Sequence, residues 1–208
     1  MSNQKSNHFV TGPARLSYVH LNQPYAHQNG GEAKYSVTVL VPKTDLKTKA
    51  AIDAAIQVAI QMGIQKQWNG TKPPVIATPV YDGDGVRPNG ENFGPECKGC
   101  WVFTASAKAD RKPRVVDTAV QDIMDPNALY SGIYGRVGVD AYPYNVSGKR
   151  GIAFGLTNVQ KLADGEPLGS VTTAEDDFGD AVPASTAFAQ PFHAPAGGGI
   201  NPLTGLPY

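Results

Sequence analysis

One stretch of this chain has the periodicity of an α-helix, and it lies among segments that alternate like β-strands. Thr44 or Asp45 is placed to cap a helix that runs to about Trp68. Within it, apolar and small side chains recur every three or four residues, as on one buried helical face: Ile52, Ile56, Ala59, Ile60 and Gly63. Since the rest of the core must come from strands, the sequence predicts a mainly β fold with one long helix.

The other segments are rich in β-branched and aromatic residues, which predicts strands at 14–21, 33–41, 101–108, 114–117, 131–144 and 151–162. Residues 33–41 show a half-buried pattern that Pro42 ends, with Tyr35, Val37, Val39 and Val41 on one face and Lys34, Ser36 and Thr38 on the other. A turn signal at Asn29-Gly30-Gly31 joins the first two strands. Small sheets avoid exposed edges by closure, so we expect a small barrel.

The region between the helix and residue 101 is rich in glycine and proline. Asn69-Gly70, Pro73-Pro74 and the run YDGDGVRPNGENFGPECKG predict a loop without regular structure. A loop of that length in a compact domain is usually functional or mobile.

The chain divides into a body, residues 1–170, and a tail, residues 171–208. After Gly169 the composition turns to Ala, Pro, Gly, Ser and Thr with few aliphatic residues, which predicts a disordered tail. All 18 basic residues precede residue 162, whereas the tail carries four acids between residues 175 and 180. The net charge of zero therefore hides a basic body and an acidic tail, an arrangement found in regulated polyanion binders and in many ordinary proteins.

The sequence offers no apolar run of membrane-spanning length and no secretory h-region at its polar start. The two cysteines are too few and too close to staple a secreted scaffold. We therefore expect a soluble cytosolic protein that does not engage a membrane.

The segment SGIYGRVGVDAYPYN alternates so that Ile133, Gly135, Val137 and Val139 point inward. Tyr134, Arg136 and Tyr142 then project outward, and Tyr144 follows in the same strand. Rings interleaved with cations suit unpaired nucleotides, which present flat bases along a phosphate ribbon. Tyrosines that merely cover a barrel with their hydroxyls in water are the equally weighted alternative.

Cations cluster in two predicted turns. Lys108, Arg111, Lys112 and Arg114 surround Pro113, and Lys149-Arg150 lie in a later turn. Such turns attract phosphate, although a simple solvated loop is the commoner explanation. In the strand before the first turn, Trp101 and Phe103 share one face, where core packing is favoured and base stacking is the alternative.

Cys97 and Cys100 have the spacing of half a zinc site, but no second pair exists and the four histidines lie far away in sequence. An inert loop is favoured over a zinc or redox role. Asp82 and Asp84 could form an acid pair, yet no base or histidine is near in sequence. No Walker loop or Gly-x-Ser-x-Gly elbow occurs, so we expect no catalysis, no catalytic residue, no metal and no cofactor.

Five further segments are distinctive: TGPARLSYVHLNQPYA, GEAKYSVTVLVPKTD, FGPECKGCWVFTASAK, KPRVVD and LYSGIYGRVGVDAYPYNVSGKRGIAFGLTNVQKLADGEPLG. Together they resemble a family of tailed-phage single-stranded-DNA-binding proteins, and the last segment is the most specific part of the resemblance. The similarity covers roughly residues 9 to 170. It implies an OB-type, five-stranded Greek-key barrel with an inserted helix, sequence-tolerant binding of single strands, and a role in phage DNA replication, recombination or repair in the host cytoplasm.

Carried onto this chain, the resemblance implies a DNA surface on the strands around residues 101–108 and 114–117, the aromatic strand, and the turn at 149–150. The residues are Trp101, Phe103, Lys108, Arg111, Lys112, Arg114, Tyr134, Arg136, Tyr142, Tyr144, Lys149 and Arg150. In related proteins an acidic tail ending in an aromatic residue competes with DNA or recruits replication proteins. Here Tyr208 is terminal but stands outside the acids. A homodimer, and a structural or adaptor role for the aromatic face, stay open as alternatives.

Overall fold

The computed structural model describes residues 6–26 and 30–169. The predicted tail, 171–208, and Asn29 of the predicted turn lie outside the described residues. The strands are β1 (His8–Val10), β2 (Ala14–Tyr25), β3 (Lys34–Pro42), β4 (Val80–Asp82), β5 (Cys100–Lys108), β6 (Arg114–Val116), β7 (Tyr134–Val146) and β8 (Lys149–Ala163). One α-helix, α1 (Leu46–Lys66), follows β3, and short 3-10 turns occupy Pro95–Cys97 and Pro126–Ala128.

Five strands close a ring in the order β7-β2-β3-β5-β8, and β8 returns to β7. The pairings are antiparallel except for that of β5 with β8, which is parallel. Three short strands lie outside the ring: β1 pairs with β7, β4 with β5 and β6 with β8. The predicted mainly β fold with a ring of strands and one helix is confirmed, and the strand order agrees with a Greek-key barrel.

The barrel interior is filled by the inward-facing residues of each strand. Phe9, Phe103 and Phe154 form an edge-to-face cluster with ring centroids 5.1–6.2 Å apart, and Val37, Val39, Val137 and Val139 are fully buried. The predicted alternation of β3 and of β7 is thereby confirmed. Edge-to-face rings add to the burial of their apolar area, which makes this cluster the centre of the core.

Helix α1 packs the predicted face against the barrel, with Ile52, Ala59 and Gly63 buried. Its cap is Asp45 and not Thr44, because the Asp45 carboxylate accepts a hydrogen bond from the Thr48 amide at 3.0 Å. Beyond the helix, the Trp68 ring lies over Gly63 and its Nε1 donates to the Tyr144 carbonyl at 3.2 Å. In the described part of the chain, no helix is long and apolar enough to cross a bilayer.

The prediction of an irregular loop between α1 and β5 is wrong in part. Val80–Asp82 forms β4, which pairs with residues 101–103 of β5, and Pro95–Cys97 forms a 3-10 turn. A three-residue strand carries no periodic signal of its own, and it forms here because β5 offers it a free edge. The β7–β8 turn is also tighter than predicted, since only Ser147 and Gly148 lie between the strands, both at positive φ.

Candidate nucleic-acid interface

The β2, β3 and β5 strands present one continuous outward surface, which we call the outer sheet face. The β3–β5 register places Lys34 opposite Lys108, Ser36 opposite Ser106 and Thr38 opposite Thr104. Cross-strand partners share a face, and the Thr38 and Thr104 hydroxyls are 2.9 Å apart. Small hydroxyl-bearing side chains therefore form the floor of this surface, and two lysines mark one end of it.

Strand β2 supplies aromatic side chains along the same face. His20 lies opposite Ser36, Tyr25 lies opposite Lys34, and the His20 and Tyr25 rings stack with centroids 4.5 Å apart. Tyr18 occupies the bulge between Ser17 and His20 with a φ of 46°, and its side chain is 60% exposed. A bulge re-aims side chains, and a non-glycine residue at positive φ is uncommon. The bulge thus directs a large ring toward solvent at this face.

The end of the outer sheet face away from the lysines opens into a groove of about 520 Å³, the aromatic groove. Its walls include Tyr18, Tyr81 of β4, Phe93 and Arg87. The Tyr81 and Phe93 ring centroids are 6.3 Å apart, and the Arg87 guanidinium carbon lies 5.2 Å from the Phe93 centroid. Ring faces and a cation therefore meet in a groove of the size that small ligands occupy.

The lysine end adjoins a second depression of about 710 Å³, the basic groove, whose lining includes Lys108, Arg111, Tyr142 and Ser106. Asp110 and Asp140 line it as well, so the two carboxylates of the lining match its two cations, and the Asp140 carboxylate lies 2.6 Å from the His8 Nδ1. The name of the groove refers to Lys108 and Arg111 only. A methyl group at Gly155 would lie 3.5 Å from the Tyr142 ring, which shows that the ring lies above β8 at this position. Desolvation raises the pKa of Tyr142, and the hydroxyl therefore stays neutral and able to donate at physiological pH.

The two grooves meet on β5. Thr104 lines the aromatic groove, and Ser106, two residues further along the same face, lines the basic groove. Residues two apart on a strand are separated by about 7 Å. The arrangement is a single path with the aromatic groove at one end, hydroxyls in the middle and the lysine pair at the other end. Rings also lie beside the middle, as the stacked His20 and Tyr25, and at the lysine end, as Tyr142.

The structure brings together three of the residues predicted from sequence, Lys108, Arg111 and Tyr142, and separates the others. Tyr134 and Arg136 point outward as predicted, but Tyr134 lies beside Gly165. Arg136 donates from Nε to the Thr11 carbonyl at 3.3 Å, near the start of α1. Tyr134 and Tyr142 are eight residues apart on one strand, about 26 Å, so they do not form one stacking platform.

The remaining predicted cations and Tyr144 lie elsewhere on the barrel. Lys112 and Arg114 line a depression beside Met124, and Arg114 forms an ion pair with Asp122 at 2.7 Å. Lys149 and Arg150 begin β8 and do not form a turn. Tyr144 lies over Gly151 near Trp68, at the end of α1.

Phe103, which was predicted to contact DNA, is buried. Its side chain is 1% exposed and packs in the aromatic core cluster, which favours the core packing that its place in the strand also indicated. Trp101 shares that side of β5 and is half-buried beneath α1, with the Lys43 and Lys49 ammonium groups 5.1 and 4.9 Å from its ring centroid. Trp101 therefore lies on the side of β5 that is opposite to the outer sheet face.

Four residues of the aromatic groove were not predicted from the sequence: Tyr18, Tyr81, Arg87 and Phe93. Three of them lie in the glycine-rich segment, where tyrosine, arginine and phenylalanine do alternate with turn residues. That interleaving is a usable signal, but only the pairing of β4 with β5 shows that the segment folds onto the sheet.

Three side chains of the glycine-rich segment, those of Asp82, Asp84 and Cys97, have surroundings that shift their pKa values. The Lys43 ammonium donates to the carboxylates of Asp82 and Asp84, and these bonds lower the pKa of both acids. Burial raises the pKa of the Cys97 thiol to about 11, which keeps it protonated near neutral pH. Within residues 6–26 and 30–169, no three side chains among His, Cys, Asp and Glu converge as a metal site.

Comparison with known proteins indicates the family of this chain. The family model of the single-stranded-DNA-binding protein of Enterobacter phage Enc34 matches residues 7–188. The chain belongs to this family. No curated protein sequence matches the chain.

Solved structures agree with membership of the Enc34 family. The single-stranded DNA-binding protein from bacteriophage Enc34 in complex with ssDNA is 29% identical, with a TM-score of 0.66 over 78% of this chain and 90% of that one. A second structure of the Enc34 protein is 28% identical, with a TM-score of 0.64 over 84% and 90%. The gp2.5 protein of bacteriophage T7 is 15% identical and shares the fold, with a TM-score of 0.56 over 81% and 91%.

Proposed function

We propose that this chain binds single-stranded DNA with little sequence preference, in the replication, recombination or repair of phage DNA. The observation that carries the proposal is the path that joins the aromatic groove to the basic groove across the outer sheet face. Sequence-tolerant binders of single strands combine exposed rings with a positively charged groove, because every base has a flat face and every nucleotide a phosphate. Membership of the Enc34 family supports the same activity.

The path suggests a division of labour among its side chains. Tyr18 and Tyr81 stack bases, each worth on the order of 1–3 kcal/mol. Lys34, Lys108 and Arg111 attract the phosphates, and Tyr142 adds a neutral ring at the basic end. The serines and threonines between them are small, so a sugar-phosphate backbone can come close to the sheet.

The proposed surface keeps only part of the set predicted from sequence. Lys108, Arg111 and Tyr142 remain in it. Seven other candidates lie on other parts of the barrel and are not needed for the path: Lys112, Arg114, Tyr134, Arg136, Tyr144, Lys149 and Arg150.

We also propose that the protein acts by binding alone, without catalysis, in the cytoplasm of the infected bacterium. Family membership supports this, as does the ion pairing of Asp82 and Asp84 with Lys43, which leaves neither carboxylate placed as a general base. Recruitment of phage or host replication proteins by the tail remains a prediction from sequence.

The experiment is fluorescence anisotropy of a labelled oligo-dT titrated with the full chain at several salt concentrations. We expect binding that weakens steeply with salt, with a slope of about 0.7 per phosphate contact, and weaker binding of a matched duplex. A Lys66→Ala variant is the control, because it removes an exposed cation from the last turn of α1. Absence of oligo-dT binding even at low salt would exclude the proposal and favour the adaptor role.

A further inference from the structure

Arg87 is held in the wall of the aromatic groove by a small turn. Its amide donates to the Glu91 carbonyl at 2.7 Å, the Gly90 amide donates back to the Arg87 carbonyl at 2.8 Å, and Val86 bridges to Asn92. The turn therefore fixes both the backbone of Arg87 and the chain that leads into Phe93. The guanidinium lies over the Phe93 ring, which restricts it to one side of the groove.

The guanidinium of Arg87 has unused hydrogen-bonding capacity. Its Nε is buried without a hydrogen-bond partner, and no carboxylate of the described residues lies within ion-pair distance of it. A buried donor without a partner is costly. The enclosed Nε does not itself reach a ligand, but a guanidinium that is held against the Phe93 ring and makes no ion pair among the described residues, in a groove of ligand size, points to a ligand that accepts from its terminal nitrogens.

We propose that Arg87 makes the aromatic groove a guanine-preferring subsite within the otherwise sequence-tolerant DNA path, an inference that rests on the proposed function. Guanine offers two adjacent acceptors, O6 and N7, which match the fork of an arginine. An unpaired base also exposes its Watson–Crick edge, and the groove lining includes Glu96 and Asn89. The Glu96 carboxylate, whose Oε1 also accepts from the Cys97 thiol at 3.7 Å, offers an acceptor for the N1 and N2 hydrogens that only guanine presents together.

Adenine and thymine match the Arg87 donors and the Glu96 acceptor less well than guanine does. Adenine places a donor where guanine has O6, and thymine has no N7. A phosphate would pair with the arginine but would leave the Glu96 carboxylate facing an anion in the same groove. The combination of Arg87 with Glu96 therefore favours a base over a phosphate, and guanine over other bases.

The test compares dT oligonucleotides that carry one central dG, dA or 7-deaza-dG, titrated against the full chain. We expect the dG oligonucleotide to bind at least about fivefold tighter than the dA one, since a bidentate arginine contact discriminates by about 1–3 kcal/mol. The 7-deaza base lacks N7, and we expect it to lose most of that difference.

Arg87→Lys is the matched variant because it keeps the charge and loses the planar fork. We expect it to bind the dG and dA oligonucleotides equally, so that the ratio of its dG to dA affinity falls to about one whatever its oligo-dT affinity. Circular dichroism and the melting temperature verify its fold. Equal binding of dG and dA by the unmodified protein, a preference that persists in Arg87→Lys, or an equal loss on all oligonucleotides with a changed salt slope would each overturn the inference. Loss of oligo-dT binding by the unmodified protein would instead reject the proposed function.

Discussion

Lys34 of β3 lies directly opposite Lys108 of β5, and both side chains are exposed. Like charges at opposed positions of a sheet destabilise it. A phosphate bound between them would turn this repulsion into two attractions. Under the proposed function, the pair is a local cost to the free protein that a bound phosphate would remove, as expected where binding and folding stability make opposing demands on the same residues.

Replacing Lys34 by Gln separates these two effects. We expect the free energy of unfolding without DNA to stay unchanged or rise by a few tenths of a kcal/mol, because the repulsion is gone. We expect the salt slope of oligo-dT binding to fall by about 0.7, because one phosphate contact is lost. Urea denaturation and anisotropy measure the two quantities. An unchanged slope would remove Lys34 from the DNA path, and Lys66→Gln is the control for a change of charge alone.

Tyr81→Ala and Tyr134→Ala distinguish the outer sheet face from the surface first predicted on β7. Both tyrosines are about two-fifths exposed, so the truncations remove comparable surface. We expect Tyr81→Ala to weaken oligo-dT binding by about 1–3 kcal/mol at every salt concentration, because stacking does not depend on counterions. The Tyr134 variant should bind like the unmodified protein. A larger loss of oligo-dT affinity in Tyr134→Ala than in Tyr81→Ala would instead indicate that DNA binds at the start of β7.

Gly63→Ala should destabilise the protein, although alanine favours helix. A methyl group at this position would lie 2.8 Å from three ring carbons of Trp68. The propensity gain of about 0.5–1 kcal/mol is smaller than the overpacking cost of about 1–3 kcal/mol. We expect a lower urea midpoint and a red-shifted tryptophan emission as Trp68 moves from its site. A higher urea midpoint would instead show that the Trp68 ring moves aside without a loss of stability.

Lys43→Met should reveal a pH-dependent contribution to stability. Lys43 lowers the pKa of Asp82 and Asp84 below the ordinary value of 3.8. Carboxylates with a lowered folded-state pKa stabilise the fold above their unfolded pKa, and the contribution is lost as pH falls through the folded value. We therefore expect the difference in urea midpoint between the two proteins to be full at pH 6 and to shrink below pH 3.8. An equal difference at pH 6 and pH 3 would indicate a packing effect instead.

The fold was largely predictable from sequence because its long elements carry strong periodic signals. The buried face of α1 and the alternation of β3 and β7 agree with the predicted patterns, as do the ring of strands and the single helix. The short strands β1 and β4 were missed, since three residues carry no periodicity and depend on the neighbouring strand for their pairing.

The candidate site was predictable only in part. Alternation indicated correctly that Tyr134, Arg136 and Tyr142 face outward, but a closed barrel has outward faces on every side. Whether two outward residues share a surface depends on strand register and order, which are set by tertiary pairing. Lys108 and Tyr142 meet because β5 and β8 pair in parallel beside β7, and no local pattern in the sequence indicates that contact.

The parallel meeting of β5 and β8 has a mechanical consequence for the barrel. The two strands share one registered pair, Ser106 with Gly155, whereas every other junction of the ring has two or more. This junction has the fewest registered pairs of the closed sheet, and the basic groove runs along it. A strand of nucleic acid laid in that groove would contact both strands of the junction, and would therefore add a link between them where backbone pairing contributes least.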